Sequence, residues 1–334
     1  MSTRLRTAVV GAGSFGRHHA RAIRELDSAE LTAIVDIDFE KARQAAQEYH
    51  SQAYRRLEDV TGLIDAAIVA TPTITHERVA SQLIESGIDV LVEKPIADSS
   101  AAGERLAELA QNRDRILQVG HLERFNPAVL ALEKILTIPL FFEIHRLSIF
   151  TPRSLDIDVV LDLMIHDLDI VLSFTRELPA DIRAGGISVL SPRVDIANVR
   201  LSFASGCIAN LTASRVSTEK VRKLRLFQPG EYISLDYQRQ EALRVFVRQG
   251  GGDYSFSPSA ERQIGFEPLA VSRAEPLRLE IESFFAAVRA RTPPRVDGFQ
   301  AASALRTAEA ILAKIKEHEQ LVLETVRRRS GLPS

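Results

Sequence analysis

Between Leu5 and Gly120, short apolar runs alternate with stretches whose apolar positions recur every three or four residues. Leu5–Val10, Leu31–Val35, Ala66–Ala70, Asp89–Val92 and Ile116–Val119 read as strands buried on both faces. The intervening Ser14–Leu26, Phe39–Tyr49, Ile74–Ser86 and Ser99–Asn112 read as helices, the third stopped by Gly87 and the fourth capped by Asp98 or Ser99. Strands and helices alternating at this spacing predict a parallel, doubly wound sheet.

The pattern changes after Gly120. A helix over Ala128–Leu136, with Asn126 and Pro127 at its start, precedes a strand at Leu140–Leu147 and a strongly apolar helix at Val159–Phe174. Period-two runs follow at Ala180–Ser188, Asn198–Phe203, Cys207–Ser214, Lys223–Phe227, Glu231–Tyr237 and Leu243–Val247. Ala204-Ser205-Gly206 and Gln228-Pro229-Gly230 are turn signals between them, so these strands predict an antiparallel sheet. Gly250–Ala260 reads as a Gly/Ser-rich loop. Helices over Leu277–Arg289 and Ala301–Lys316 close the chain, with Pro293-Pro294 between them and a basic tail from Arg327. The expected fold is α/β: a dinucleotide-binding domain over 1–122, then an α/β domain with a largely antiparallel sheet over 123–334.

Composition narrows the function. The 334 residues suffice for two domains, and 45% hydrophobic content supplies both cores. A formal net charge of -2 gives no reason to expect nucleic acid or an acidic membrane as partner. The single cysteine, Cys207, excludes an internal disulfide framework and lies in an alternating strand pattern, where a packed thiol is expected. The opening residues run directly into a strand without a signal-type apolar region, and no apolar run is long enough for a membrane span. The expectation is a cytoplasmic protein.

The first strand leads into Gly11-Ala12-Gly13-Ser14-Phe15-Gly16. In this G-x-G-x-x-G pattern Gly11 takes the tight turn and Gly13 admits a pyrophosphate. Gly16 lets helix and strand pack closely, and the helix's first-turn amides face the phosphates. Asp36 ends the second strand, where a carboxylate accepts both ribose hydroxyls and repels a 2′-phosphate, favouring NAD over NADP. The alternative for Asp36 is a turn cap. Thr71, Pro72 and His76 follow the third strand and belong to a cofactor cleft, though His76 suits a helix cap equally well. Glu93-Lys94-Pro95 ends the fourth, placing an ammonium where open α/β sheets bind ligands. A cis Lys94-Pro95 bond is expected there.

In the second half, Asp162 and His166 stand at i and i+4 on the apolar helix. A carboxylate beside an imidazole orients it and tunes it for general-base work. The alternative is a satisfied structural histidine, and Asp162, His166 and Asp169 are the weaker metal reading. His121, Arg124 and Asn126 sit at the domain junction, with an interdomain ion pair as the plain account of Arg124. Arg215, Lys220, Arg222, Lys223 and Arg225 form a basic group that is either a solvated strand face or a seat for an anionic group such as a diphosphate.

The glycine loop, Asp36, Ala70-Thr71-Pro72 with His76, Glu93-Lys94-Pro95, and Asp162 with His166 together resemble the Gfo/Idh/MocA oxidoreductase family. The resemblance implies a Rossmann domain, an α/β domain with an open-faced sheet, a bound NAD, no metal, and homodimers or homotetramers. It also implies cofactor contacts from Gly11 to Gly16, Asp36, Thr71, Pro72, His76, Glu93 and Lys94. Lys94, His166 and Asp162 would be catalytic, and Lys94, Arg124, Asn126, Asp162, His166 and Arg215 would meet substrate. Gly120–Pro127 and Leu161–Asp169 are most similar to the nucleotide-sugar 3-dehydrogenases, implying oxidation of the 3-hydroxyl of UDP-N-acetylglucosamine or a related UDP-sugar. A free polyol, inositol or aldose is the alternative substrate, and a non-catalytic NAD-binding regulator the alternative role.

Overall fold

The computed structural model describes residues 4–151, 157–248 and 263–330. The chain divides into two units. The first joins residues 1–125 to 274–306, and the second joins 126–273 to 307–334.

In the first unit, strands β1 (Leu5–Val10), β2 (Ala29–Val35), β3 (Gln52–Tyr54), β4 (Ala66–Val69), β5 (Asp89–Glu93) and β6 (Leu117–Gly120) form one sheet. Its order is β3-β2-β1-β4-β5-β6, and every pair is parallel. The connecting helices are α1 (Ser14–Arg24), α2 (Phe39–Glu48), α3 (His76–Glu85) and α4 (Ser100–Asn112). Because helices cover both faces, the central strands lose their alternation, and Ala66 to Val69 and Val90 to Val92 are wholly buried. The order reverses between β1 and β4, which makes their carboxyl ends the switch-point crevice of this fold. Asp38 caps α2 by accepting from Lys41 N, and Ser99 caps α4 by accepting from Ala102 N, which settles the choice between Asp98 and Ser99.

The boundary differs from the expected break at 122/123. The first unit runs on to Phe125 and takes back 274–306 because α7 (Pro276–Ala290) belongs to its core. Ile281, Phe284 and Phe285 are fully buried in the cluster that holds Val9, Ile23, Ile34 and Leu91. Burying such a side chain contributes roughly 1.5–3 kcal/mol, so the helix follows its apolar face rather than its place in the chain.

The second unit is built on the sheet β14-β13-β12-β11-β7-β10-β9-β8. In chain order its strands are β7 (Phe141–Ile149), β8 (Asp181–Ile187), β9 (Ile196–Ser202), β10 (Ile208–Ser217), β11 (Val221–Gln228), β12 (Glu231–Asp236), β13 (Glu241–Arg248) and β14 (Gln263–Pro268). Only the β7–β10 pair is parallel. One face carries Phe142, Ile144, Val199, Leu201, Leu211, Leu224, Leu226, Ile233 and Leu235 into a common core with Leu168, Val171, Ile311 and Ile315. Those last four come from α6 (Ile165–Thr175) and α8 (Gly298–Ser330), while α5 (Pro127–Glu133) adds Ala128, Val129 and Leu132.

Gly206, with φ of 87°, closes the β9–β10 hairpin, and Gly230, at 76°, closes β11–β12. Two strands escape the sequence pattern. β3 has three residues, and edge strand β14 turns Ile264 and Phe266 outward while Gly265 packs on Phe246. α8 outlasts the expected Lys316 because its continuation is polar but rich in good helix formers. The Gly250–Ala260 loop lies outside the described residues.

Candidate functional site

The glycine loop meets the steric demands of its pattern. Gly11 has φ of +105°, and a Cβ there would stand 2.5 Å from the Ala70 carbonyl oxygen, across the β1/β4 switch point. A Cβ on Gly16 would overlap the Gly11 carbonyl oxygen. Gly13 is the N-cap of α1 and faces open space. Ser14 and Phe15 begin the helix, and Phe15 is 63% exposed. Backbone amides therefore line an accessible cradle that fits a pyrophosphate.

Asp36 closes that cradle. Its Oδ2 accepts from Ala12 N at 2.7 Å and its Oδ1 from Asp38 N at 2.8 Å. A carboxylate offers about four lone-pair directions, so both oxygens retain capacity for ribose hydroxyls. The turn-cap and ribose readings of Asp36 are compatible.

Past β4, Thr71 Oγ1 accepts from Thr75 at 2.8 Å. His76, the first residue of α3, is buried, with Nε2 2.8 Å from the Thr71 carbonyl oxygen and Nδ1 2.8 Å from that of Pro95. It ties the ends of β4 and β5 together through the Thr71-Pro72 loop. The Lys94-Pro95 bond is cis, as expected. Glu93 accepts from Lys94 N at 3.3 Å and lies 2.6 Å from His19 Nε2. Burial pushes the Glu93 carboxyl up, but the His19 hydrogen bond and charge, with Lys94, outweigh it and hold the group below the usual carboxylate range.

In the same unit, Arg124 is buried and donates to the Arg295 carbonyl. His121 is also buried, its backbone amide donating to Val119 O.

In the second unit, Asn126 caps α5 by accepting from Ala128 N and donates to Tyr237 O. Asp162 and His166 are half-buried; Asp162 lies within a π-helical turn, Val160–Met164, and His166 in the first turn of α6 that follows it. Such turns are rare and recur at functional sites. Asp167, the residue after His166, is engaged by a cation. It takes a two-pronged ion pair from Arg146 of β7, both contacts 2.7 Å, with that guanidinium 5.2 Å from the Tyr237 ring centre.

The basic group does not stay together. On β11, Lys223 and Arg225 face outward while Arg222 alternates to the opposite face, and Arg225 pairs with Glu143. Arg215 is buried, 3.8 Å from Asp195 Oδ1, and donates to Ile157 O. Asp195 in turn accepts from the amides of Val189, Leu190 and Ser191. Cys207 is buried, and that burial, then Glu177, pushes its thiol up to about 11, so it is a packed core group.

Sequence reasoning missed His19, Glu280 and Arg146. His19 lies three positions past Gly16 and reads as one more helical residue. Neither of the other two has a local motif.

A parallel sheet of this order, a glycine turn at its switch point and an acid on the next strand define a dinucleotide-binding protein. Residues 5–121 match the model of an oxidoreductase family with an NAD-binding Rossmann fold. The chain is 35% identical to the UDP-N-acetylglucosamine 3-dehydrogenase of Acidithiobacillus ferrooxidans over 88% of its own length and 92% of that protein's. It superposes on the structure of that enzyme with a TM-score of 0.87 at 31% identity, covering 95% of this chain and 99% of the other. It is 31% identical to an inositol 2-dehydrogenase of Corynebacterium glutamicum over 55% of its length and 58% of the relative's. A levoglucosan dehydrogenase shares the fold, with a TM-score of 0.82 at 17% identity over 95% of this chain and 98% of the other.

The chain belongs to the Gfo/Idh/MocA oxidoreductase family. It is an NAD-dependent dehydrogenase acting on a CH–OH group of a small molecule. No helix among the described residues is long and apolar enough to cross a membrane.

Proposed function

We propose that the enzyme oxidises a secondary alcohol of a sugar nucleotide, the 3-hydroxyl of UDP-N-acetylglucosamine or of a related UDP-sugar. One observation carries the reading: similarity to a protein of that activity extends over 92% of the relative's length, in both units. Gly11 to Gly16 and Asp36 would hold NAD, with Thr71, Pro72, His76, Glu93 and Lys94 around it. NAD, when bound, supplies a hydride acceptor. Lys94 hydrogen-bonds the substrate oxygen and stabilises its developing charge. His166 takes the hydroxyl proton as general base, with Asp162 as its partner. Arg124, Asn126 and Arg215 complete the substrate side. Their bonds to Arg295 O, Tyr237 O and Ile157 O make a positioning part suit them better than a mobile grip on a diphosphate. We assign the enzyme to the cytoplasm, as a homodimer or homotetramer.

The inositol 2-dehydrogenases among the relatives favour a second reading, a free polyol, inositol or aldose as substrate. The test is reduction of NAD by the purified protein with UDP-N-acetylglucosamine, other UDP-sugars, myo-inositol and free aldoses. An oxidant or an aminotransferase is added to draw off product. Reduction with a UDP-sugar alone supports the first reading, and reduction with a free polyol or sugar alone replaces it. Binding of NAD without turnover on any of them leaves a regulator.

A further inference from the structure

Beneath Lys94, four elements of the first unit bring polar side chains into its interior. His19 of α1, Gln118 of β6 and Glu280 of α7 are 0%, 0% and 1% exposed, and Glu93 ends β5. Only His19 Nε2 and Glu93 Oε1, at 2.6 Å, and Gln118 Nε2 with Glu280 O, at 3.0 Å, form hydrogen bonds among these groups. His19 Nδ1, Gln118 Oε1 and Glu280 Oε1 are buried without a hydrogen-bond partner among the described residues.

Glu93 has little freedom. It sits opposite Gly120 on β6, where a Cβ would come within 3.1 Å of Glu93 Oε2. Its other constraints are His19 on one side and the Lys94 amide on the other. The same α1 starts at the glycine loop, five residues before His19.

We propose that His19 is a positioning residue for this dehydrogenase: its Nε2 bond fixes the Glu93 carboxylate, and Glu93 fixes the backbone turn that presents Lys94. This rests on the assignment of Lys94 to the reacting oxygen.

The charged and titratable groups facing Glu93 are His19 from α1, Lys94 from its own turn and Glu280 from α7. Burial and then the Glu93 charge push Glu280 well above the usual carboxylate range, so of the two acids Glu280 takes a proton first. Without His19 the burial of Glu93 is opposed by Lys94 alone. Its carboxyl then moves up and takes a proton as pH falls, and the hold on Lys94 loosens.

The test uses the full-length enzyme with His19→Leu, His19→Gln and Glu280→Gln. In His19→Leu, kcat falls about tenfold with a small change in the KM for NAD, and the loss deepens toward acid pH. His19→Gln restores a donor to Glu93 and recovers part of kcat. Glu280→Gln, uncharged like the protonated acid, stays near wild type. Infrared difference spectra of carboxyl groups supply a readout that needs no substrate. The protonated-acid band of the wild type disappears in Glu280→Gln, and a pH-dependent band appears in His19→Leu.

A His19→Leu enzyme with wild-type kcat at every pH overturns the proposal. So does a uniform loss, equal at all pH, with no new carboxyl band. Failure of the Lys94 assignment looks different: Lys94→Ala keeps turnover while the infrared changes remain.

Discussion

Asp195 tests the energetics of the second unit. Its carboxylate is fully buried, and Oδ2 accepts from Val189, Leu190 and Ser191 amides at 2.7, 2.6 and 2.9 Å. Ser191 Oγ donates to Oδ1 at 2.7 Å. Burial pushes the group up, but the Ser191 hydroxyl and the three amides outweigh it and hold it at about 2, against 3.8 when unfolded. At about 1.4 kcal/mol per tenfold change in proton affinity, that difference amounts to ~2.5 kcal/mol. Because the folded value is depressed, the contribution is full above about pH 5, roughly halved near pH 3 and lost as pH falls through about 2.

Asp195→Asn keeps the shape, removes the charge and turns a donor toward groups that also donate. Amide hydrogen exchange over Val189–Ser191 should quicken on the order of 60-fold near neutral pH. The gap between wild type and variant should close in acid. Exchange within about twofold of wild type near neutral pH, or a gap that persists below the folded value, would refute the reasoning.

Removing one partner of the Arg146–Asp167 pair leaves a buried charge, since the side chains are 3% and 2% exposed. Asp167→Ala should cost about 3–5 kcal/mol in a melting experiment, whereas replacing both partners with apolar residues should cost far less. Gly16→Ala puts a Cβ into the Gly11 carbonyl oxygen, so NAD binding measured by calorimetry should be lost while the second unit's melting transition is kept. Lys94→Ala and His166→Ala should each lower kcat by about 10²–10⁴ with NAD affinity retained, and two near-wild-type rates would remove the proposed chemistry.

The doubly wound sheet was legible because helices on both faces leave uninterrupted apolar strands, and because Gly11 and Gly16 are demanded by close backbone approach. The antiparallel strands were legible through alternation and their turn glycines. What escaped follows from distance in the chain. The return of α7 to the first unit depends on Phe284 and Phe285 meeting Val9 and Leu91, and a well-patterned amphipathic helix does not say which core it serves. The apparent basic cluster at 215–225 counts charges along a segment that a strand distributes between two faces. The Arg146–Asp167 ion pair was not legible because Arg146 lies on β7, far from Asp167 in the chain, where nothing local marks it.

The Glu93-Lys94-Pro95 turn brings these lessons to one place. The motif was readable, yet an ammonium can serve as an electrostatic device only if its carrier does not yield, since a misplacement of about 1 Å can cost on the order of 100-fold in rate. Here the turn is held by residues remote in sequence. His76 reaches the Pro95 carbonyl from α3, His19 reaches Glu93 from α1, and Gly120 keeps β6 close enough to confine the carboxylate. Each support also belongs to an element that shapes the crevice: α1 carries the glycine loop, and α3 follows Thr71-Pro72. The proposed pyrophosphate loop and His19, on which Glu93 leans, therefore belong to one helix. On the proposed reading, substitution at His19 should separate from substitution at Lys94 by a smaller loss that deepens toward acid pH.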